Sequence, residues 1–181
     1  MTESFRIRPA RTSDVAAIKA LVAPLADQRI LMAKETVAYY ESIQEFLIAE
    51  SFDGEVIGCG ALHIMWEDLA EVRTLAAADT WRGQGVGHVI VEHLLQQARN
   101  VGVARVFCLT FEVDFFTRHG FAVMADQTAV DPTVYSELLR SHDEGVAEFL
   151  DLARVKPNTL GNTRMIREFG QQEIGAGQGW V

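Results

Sequence analysis

The chain has 181 residues, 49% hydrophobic and 23% charged, a composition ordinary for a soluble globule and a length that suits one domain with a sizeable core. Its 16 basic against 25 acidic residues leave a formal charge of -9, which argues against nucleic acid and requires that any anionic ligand be met by basic residues gathered locally. The two cysteines, Cys59 and Cys108, lie in apolar runs without a C-x-x-C pair, residues 1–11 carry no apolar leader and no run of 18 apolar residues occurs, so buried reduced thiols, no metal cluster, no membrane contact and a cytoplasmic location are expected.

In chain order, residues 5–9 alternate Phe5 and Ile7 with Arg6 and Arg8, the pattern of an edge-like first strand. Arg11, Thr12, Ser13 and Asp14 offer N-cap side chains to a helix that buries Val15, Ile18, Leu21 and Val22 and is expected to stop at Pro24. Residues 34–43 form a second amphipathic stretch through Val37, Tyr40 and Ile43. Two runs rich in Phe, Leu, Ile and Val, 44–51 and 55–64, flank Asp53-Gly54 and predict a β-hairpin. Gly58 and Gly60 interrupt its second arm, which marks a bulge or a close backbone approach, with a substrate as a candidate neighbour.

Residues 70–77 form the next strand, and it runs into Arg82-Gly83-Gln84-Gly85-Val86-Gly87. A helix then runs over 85–100 with Val86, Ile90, Leu94, Ala98 and Val101 on one stripe, stopped by Asn100 and Gly102. The first amides of that helix, from Gly83, Gln84, Gly85, Val86 and Gly87, face an approach without β-carbons, and free N–H groups with the helix dipole favour an anion there. Arg82 adds a fixed positive charge beside them. No Lys-Ser or Lys-Thr follows the glycines and His88 stands where a dinucleotide fingerprint needs glycine, so neither a P-loop nor a Rossmann site is formed. The alternative is a tight strand-to-helix connection whose glycines only permit packing.

Residues 104–109 and 121–125 are strand-like, 134–140 is a short helical piece after Asp131-Pro132, and 147–155 is an apolar strand. Residues 169–181 have the composition of a flexible tail behind a single domain of 1–168. His88 and His119 are expected to face solvent.

The spacing Arg82-x-x-Gly85-x-Gly87, the following strand and Phe115-Phe116-Thr117-Arg118-His119-Gly120-Phe121 together resemble the GNAT acyl-CoA-dependent N-acetyltransferases. That resemblance implies an α/β (α+β) fold with a mixed central sheet and helices on both faces, and acetyl-CoA as co-substrate. Its pyrophosphate is implied to lie on Arg82 to Gly87, and backbone groups of Leu75, Ala76 and Ala77 are implied to meet the pantetheine arm and polarise the thioester carbonyl. Further stretches are similar to the acetyltransferase domain of N-acetylglutamate synthases, closest to the short stand-alone bacterial type: Ile7-Arg8-Pro9-Ala10, Ile30-Leu31-Met32, Val56-Ile57-Gly58-Cys59-Gly60-Ala61-Leu62, Glu71, Val106-Phe107-Cys108-Leu109-Thr110 and Val155-Lys156-Pro157-Asn158.

This second resemblance implies transfer of acetyl to the α-amine of L-glutamate or L-glutamine, the first step of arginine biosynthesis. Glu71 is then the candidate general base, with an ion pair to Arg73 as its alternative role. A dicarboxylate needs cationic anchors, for which Lys34, beside Leu31, and Arg164 stand first, Thr163 donates a hydroxyl, and Arg73 and Lys156 are reserves. Cys59 lies where the family brings strand backbone close to the acceptor amine, though a plain buried thiol is its other reading. The family's arginine near Ala33 is replaced by Lys34 and its tyrosine near the C-terminal motif by Thr159, while Phe115 and Phe116 offer no acid, so the general acid is unassigned. Two further readings stay open: a GNAT enzyme for another small amine or a protein N-terminus, and a non-catalytic acyl-CoA-binding sensor. Homodimers are common in the superfamily, and two helices and a sheet edge suit one here.

Overall fold

The computed structural model describes residues 4–124, 130–152 and 161–174. Strands β1 (Phe5–Pro9), β2 (Phe46–Ser51), β3 (Val56–Trp66), β4 (Leu69–Ala77), β5 (Arg105–Thr110), β6 (Ala122–Val123) and β7 (Thr163–Glu168) occur with helices α1 (Val15–Asp27), α2 (Thr36–Glu41), α3 (Val86–Asn100), α4 (Val113–Arg118), α5 (Pro132–Leu138), α6 (Glu144–Phe149) and α7 (Gln171–Ile174). The strands hydrogen-bond in the order β1-β2-β3-β4-β5-β7-β6. The sheet is mixed: β4 and β5 are parallel, and β7 is antiparallel to both β5 and β6. By packing, the chain divides into two compact units, Met1–His63 with Val72–Ala98 and Ile64–Glu71 with Arg99–Val181, and β3 and β4 each contribute to both.

In the first unit, the β2–β3 hairpin forms around Gly54, whose φ of 85° is the left-handed conformation that an Asp-Gly turn supplies. Its core gathers Val15, Ile18 and Val22 of α1 with Tyr39, Phe46, Ile48, Cys59, Ala61 and Ala76. The helix expected to stop at Pro24 continues to Asp27. Proline removes the bond to the carbonyl four residues earlier, and Ala20, which carries that carbonyl, is exposed, so water can serve it. The second amphipathic stretch is also turned from its expected face: Tyr39 is buried, while Val37 and Tyr40 are exposed. Beneath the first turn, Arg8 bridges Asp14 at 2.8 Å and Glu50 at 2.7 Å, and Arg6 shares Glu50. Thus β1, β2 and the start of α1 are tied by charge-assisted bonds on the margin of the core.

In the second unit, Met65, Leu69, Phe107, Leu138, Val146, Phe149 and Leu150 form the core, with Phe107 and Phe149 edge-to-face at 5.6 Å. Two expectations fail here. The apolar strand foreseen over 147–155 is helical over Glu144–Phe149: Asp143 caps it by accepting from the Val146 N–H, and Val146, Phe149 and Leu150 fall on one buried face at helical spacing. Its residues 153–155 lie outside the described residues. In the other direction, β7 went unforeseen. It carries Arg164, Arg167 and Glu168 around a single fully buried residue, Met165, so period-2 hydrophobicity was hidden by charge. A short helix, α7, opens the stretch expected to be a tail. Val101 lies past the end of α3 and is exposed rather than on its buried stripe, and Gly102 at φ 87° turns the chain there.

Candidate active site

The turn that joins β4 to α3 is built so that its glycines serve conformation rather than packing. Gly83 and Gly85 have φ of 78° and 81°, and a β-carbon on either would meet nothing within 4 Å. Only a residue without a β-carbon adopts this backbone readily, and the space over the turn is open. The packing-only alternative therefore fails at these two positions. The amides of Arg82 and Gln84 turn inward to the carbonyls of Asp79 and Trp81, and Val89 N–H donates to Gly85 O, which makes Gly85 the N-cap of α3. The N–H groups of Val86 and Gly87 thus open a 15-residue helix and lack carbonyls from a preceding turn, as in any first turn. Gln84 and Arg82 are exposed beside them, Arg82 with only a long 3.9 Å pair to Asp79. Such an exposed pair is loosely held and leaves the guanidinium available to an anion. Trp81 anchors the turn by an edge-to-face contact with Phe5 at 6.1 Å, and Ala78 N–H donates to Ile57 O.

Gly58 and Gly60 do mark a close approach, but by α3 and not by a substrate. A β-carbon on Gly58 would lie 2.7 Å from Val86 and 2.9 Å from Ile90, and one on Gly60 would lie 2.8 Å from Ile90 and 3.0 Å from Leu94. The first turn of α3 is therefore drawn directly onto β3.

Upstream, β4 is interrupted at Thr74, a buried β-branched residue with φ 56°. A threonine in this region is strained, and the distortion re-aims Leu75, Ala76 and Ala77: Leu75 is half-buried, Ala76 buried and Ala77 exposed. Cys59 Sγ lies 3.6 Å from Thr74 O. Its side chain is wholly buried and burial pushes the thiol up to about 12, so it is a protonated core residue. Arg73 donates to Glu45 Oε2 at 3.0 Å, while His63 Nδ1 contacts Glu45 Oε1 at 2.8 Å. The neighbouring His63 and Arg73 hold Glu45 below the usual carboxylate range against the opposing pull of burial. Glu45 and His63 were not foreseen, because nothing in linear spacing links 45, 63 and 73. Leu31 and Lys34 are both half-buried in this unit, Leu31 against the core.

In the second unit, Glu71 is buried and pairs in register with Phe107 on β5. Its carboxylate lies against the first turn of α6, where Gly145 stands. Cys108 is raised well above its ordinary value by burial and then by the Glu71 charge, which makes it a second inert thiol. Arg164, opposite Leu109 in the β5–β7 register, donates through Nε and Nη2 to the carbonyls of Glu148 and Phe149 at the end of α6. It is thus a strut between β7 and α6 as well as a candidate anchor, and Thr163 lies next to it opposite Thr110. Lys156 and Thr159 lie outside the described residues. His119, expected in solvent, is buried against Phe115 at 5.1 Å, because the turn after α4 folds it back. His88 is half-buried. Among the described residues no cluster of three metal-ligating side chains occurs and no helix is long and apolar enough to cross a membrane.

Comparison with known proteins places the chain in one family. The family model for the acetyltransferase (GNAT) family matches residues 22–121. The chain is 54% identical over 162 residues to an amino-acid acetyltransferase of Mycobacterium tuberculosis, covering 88% of this chain and 92% of that one. An amino-acid acetyltransferase of Shewanella oneidensis is 36% identical over 126 residues, 68% of this chain but 28% of that much longer protein. The crystal structure of Rv2747 from Mycobacterium tuberculosis in complex with CoA and NLQ superposes with a TM-score of 0.86 at 53% identity, over 91% of this chain and 99% of that one. N-acetylglutamate synthase from Neisseria gonorrhoeae, complexed with coenzyme A and N-acetyl-glutamate, shares the fold at a TM-score of 0.73 and 24% identity, over 92% of this chain and 35% of that one.

Proposed function

Because this chain belongs to the GNAT acetyltransferase family, we propose that it transfers the acetyl group of acetyl-CoA to the α-amine of L-glutamate or L-glutamine. The observation that carries the cofactor half of this reading is the open, left-handed Gly83 and Gly85 pair at the N-cap of α3. The first-turn N–H groups of α3 and the exposed Arg82 suit a pyrophosphate, and the space over Gly83 and Gly85 is open to receive one. Leu75 to Ala77, re-aimed by the Thr74 distortion, would supply backbone N–H groups to the thioester carbonyl as negative charge develops on it. The relatives support the acceptor half: the Mycobacterium tuberculosis enzyme of 54% identity is called an amino-acid acetyltransferase, and Rv2747 was crystallised with CoA and NLQ.

In the reaction, Glu71 takes a proton from the acceptor ammonium, directly or through water, and the freed nitrogen lone pair attacks the thioester carbonyl. A carbon–nitrogen bond forms, the nitrogen gives up its second proton to solvent, the carbon–sulfur bond breaks, and the CoA thiolate leaves to be protonated from solvent or a neighbouring acid. Lys34 and Arg164 are the first candidates to hold the acceptor's carboxylates, Thr163 would donate a hydroxyl, and Arg73 and Lys156 stand in reserve. The same reading puts the enzyme in the cytoplasm, at the entry to arginine biosynthesis, and admits a homodimer.

The test is release of CoA from acetyl-CoA, followed with a thiol reagent, in parallel reactions with L-glutamate, L-glutamine, L-aspartate and a short peptide. Release that depends on glutamate or glutamine and falls in Arg164→Ala supports the proposal. Turnover of the peptide alone overturns the acceptor assignment. Binding of acetyl-CoA without turnover of any acceptor overturns the enzyme reading in favour of a sensor.

A further inference from the structure

Glycine is among the poorest helix formers, yet Gly145 occupies the first turn of the six-residue α6. Its backbone gives no reason for this. Gly145 is not among the glycines with positive φ, so an alanine there would be unstrained and would favour the helix. Space is the reason. A β-carbon on Gly145 would stand 2.0 Å from Glu71 Oε2 and 2.7 Å from Glu71 Cδ, with Asp143 Oδ1 at 3.0 Å. The helix is tied down at both ends. Asp143 accepts from the Val146 N–H as the cap of α6, and the far end of α6 is held by Arg164 through the carbonyls of Glu148 and Phe149. The helix therefore has little freedom to move aside, and the Glu71 side chain would be the part displaced.

We propose that Gly145 is a positioning residue for Glu71: the missing β-carbon in the first turn of α6 admits the Glu71 carboxylate to the place from which it takes the acceptor's proton. The proposal rests on Glu71 as the base. It assigns α6 a role in the reaction though α6 carries no reacting group. Asp143 Oδ1 at the α6 cap lies 3.0 Å from the same β-carbon position, and the Cys108 thiol on β5 already feels the Glu71 charge, so both would register a displaced carboxylate. The three atoms nearest the added methyl belong to Glu71 and Asp143, neither of which is assigned to acetyl-CoA, so its effect should fall on turnover rather than on acetyl-CoA binding.

The experiment compares wild type, Gly145→Ala, Glu71→Gln, Glu71→Asp and the double variant Gly145→Ala/Glu71→Asp. For each, the thermal midpoint, the pH profile of kcat/KM and the 13C titration of the Glu71 carboxyl resonance are recorded, the resonance being assigned by its loss in Glu71→Gln. Gly145→Ala is expected to keep a cooperative thermal transition and the acetyl-CoA KM. Its kcat should fall about ten- to a hundred-fold, as for a reacting group moved by an ångström or so, and both the Glu71 titration and the acidic limb of the profile should shift together. Retracting the carboxylate by one methylene removes the clash, so adding Gly145→Ala to Glu71→Asp should lower kcat by less than about two-fold, a non-additivity expected of groups in contact. An unchanged Glu71 titration and pH profile in Gly145→Ala, or equal losses in both backgrounds, would overturn the positioning role. Wild-type turnover in Glu71→Gln would instead overturn the reading of Glu71 as base, whatever Gly145→Ala does to the resonance.

Discussion

In the proposed reaction Glu71 strips a proton from the acceptor amine, and it is buried on β4 with the first turn of α6 against its carboxylate. Glu71→Gln keeps the shape and removes the basicity. Its kcat should fall about a hundred-fold or more at pH 8 with little change in the acetyl-CoA KM, read by steady-state CoA release. A second residue-scale consequence concerns acid. Arg8, and then Arg6, hold the Glu50 carboxyl at about 2 against an ordinary 4.5, and Arg8 holds Asp14 below its ordinary 3.8. Carboxyls lowered in the folded state stabilise it fully above their unfolded values, and that contribution drains away as pH falls towards the folded ones. Thermal midpoints should thus be level above about pH 5 and fall steadily towards about pH 2. Glu50→Gln should start lower at neutral pH and fall less steeply through that window, as followed by circular dichroism.

Among the elements, α3 and its turn would carry the cofactor end of the proposed reaction, and their placement depends on β3. Gly58 lets Val86, the first residue of the helix, come within 2.7 Å of where a methyl would be. Gly58→Ala should push that turn away from the sheet and raise the acetyl-CoA KM about five-fold, equivalent to about 1 kcal/mol. The KM for acetyl-pantetheine, which has no pyrophosphate, should stay as in wild type, and the ratio of the two separates a moved turn from general loosening. Most of these elements were legible from the chain alone. The hairpin announced itself through Asp53-Gly54, α3 through its period, and the turn through glycines whose spacing matched one family. Local signals misled where tertiary contacts decide. Gly58 and Gly60 signalled an approach without saying of what, and α6 packs apolar residues so densely that a period of 3.6 was mistaken for a strand. β7 shows too few apolar residues because Arg164 and Arg167 spend their charge on the carbonyls of Glu148, Phe149 and His119.

For the molecule as a whole, composition indicated class and charge but could not indicate how residues distant in sequence are partnered. The Glu45, His63 and Arg73 group and the meeting of Glu71 with Gly145 join positions 28 and 74 residues apart at their widest, and only the fold brings them together. The same is true of β7, which separates β5 from β6 although it follows both in the chain. During synthesis, then, β5 and β6 leave the ribosome with no neighbour to pair with on the side that β7 will fill, and the gap persists until residues 163–168 are made. Through that interval the second unit presents two open strand edges, the feature most prone to pairing with another nascent chain. Chains cut after residue 160 should accordingly collect in the insoluble fraction when expressed, whereas adding residues 161–181 back as a separate peptide during refolding should recover soluble protein. Slow translation over this stretch would lengthen exposure to aggregation without altering a single contact in the finished enzyme.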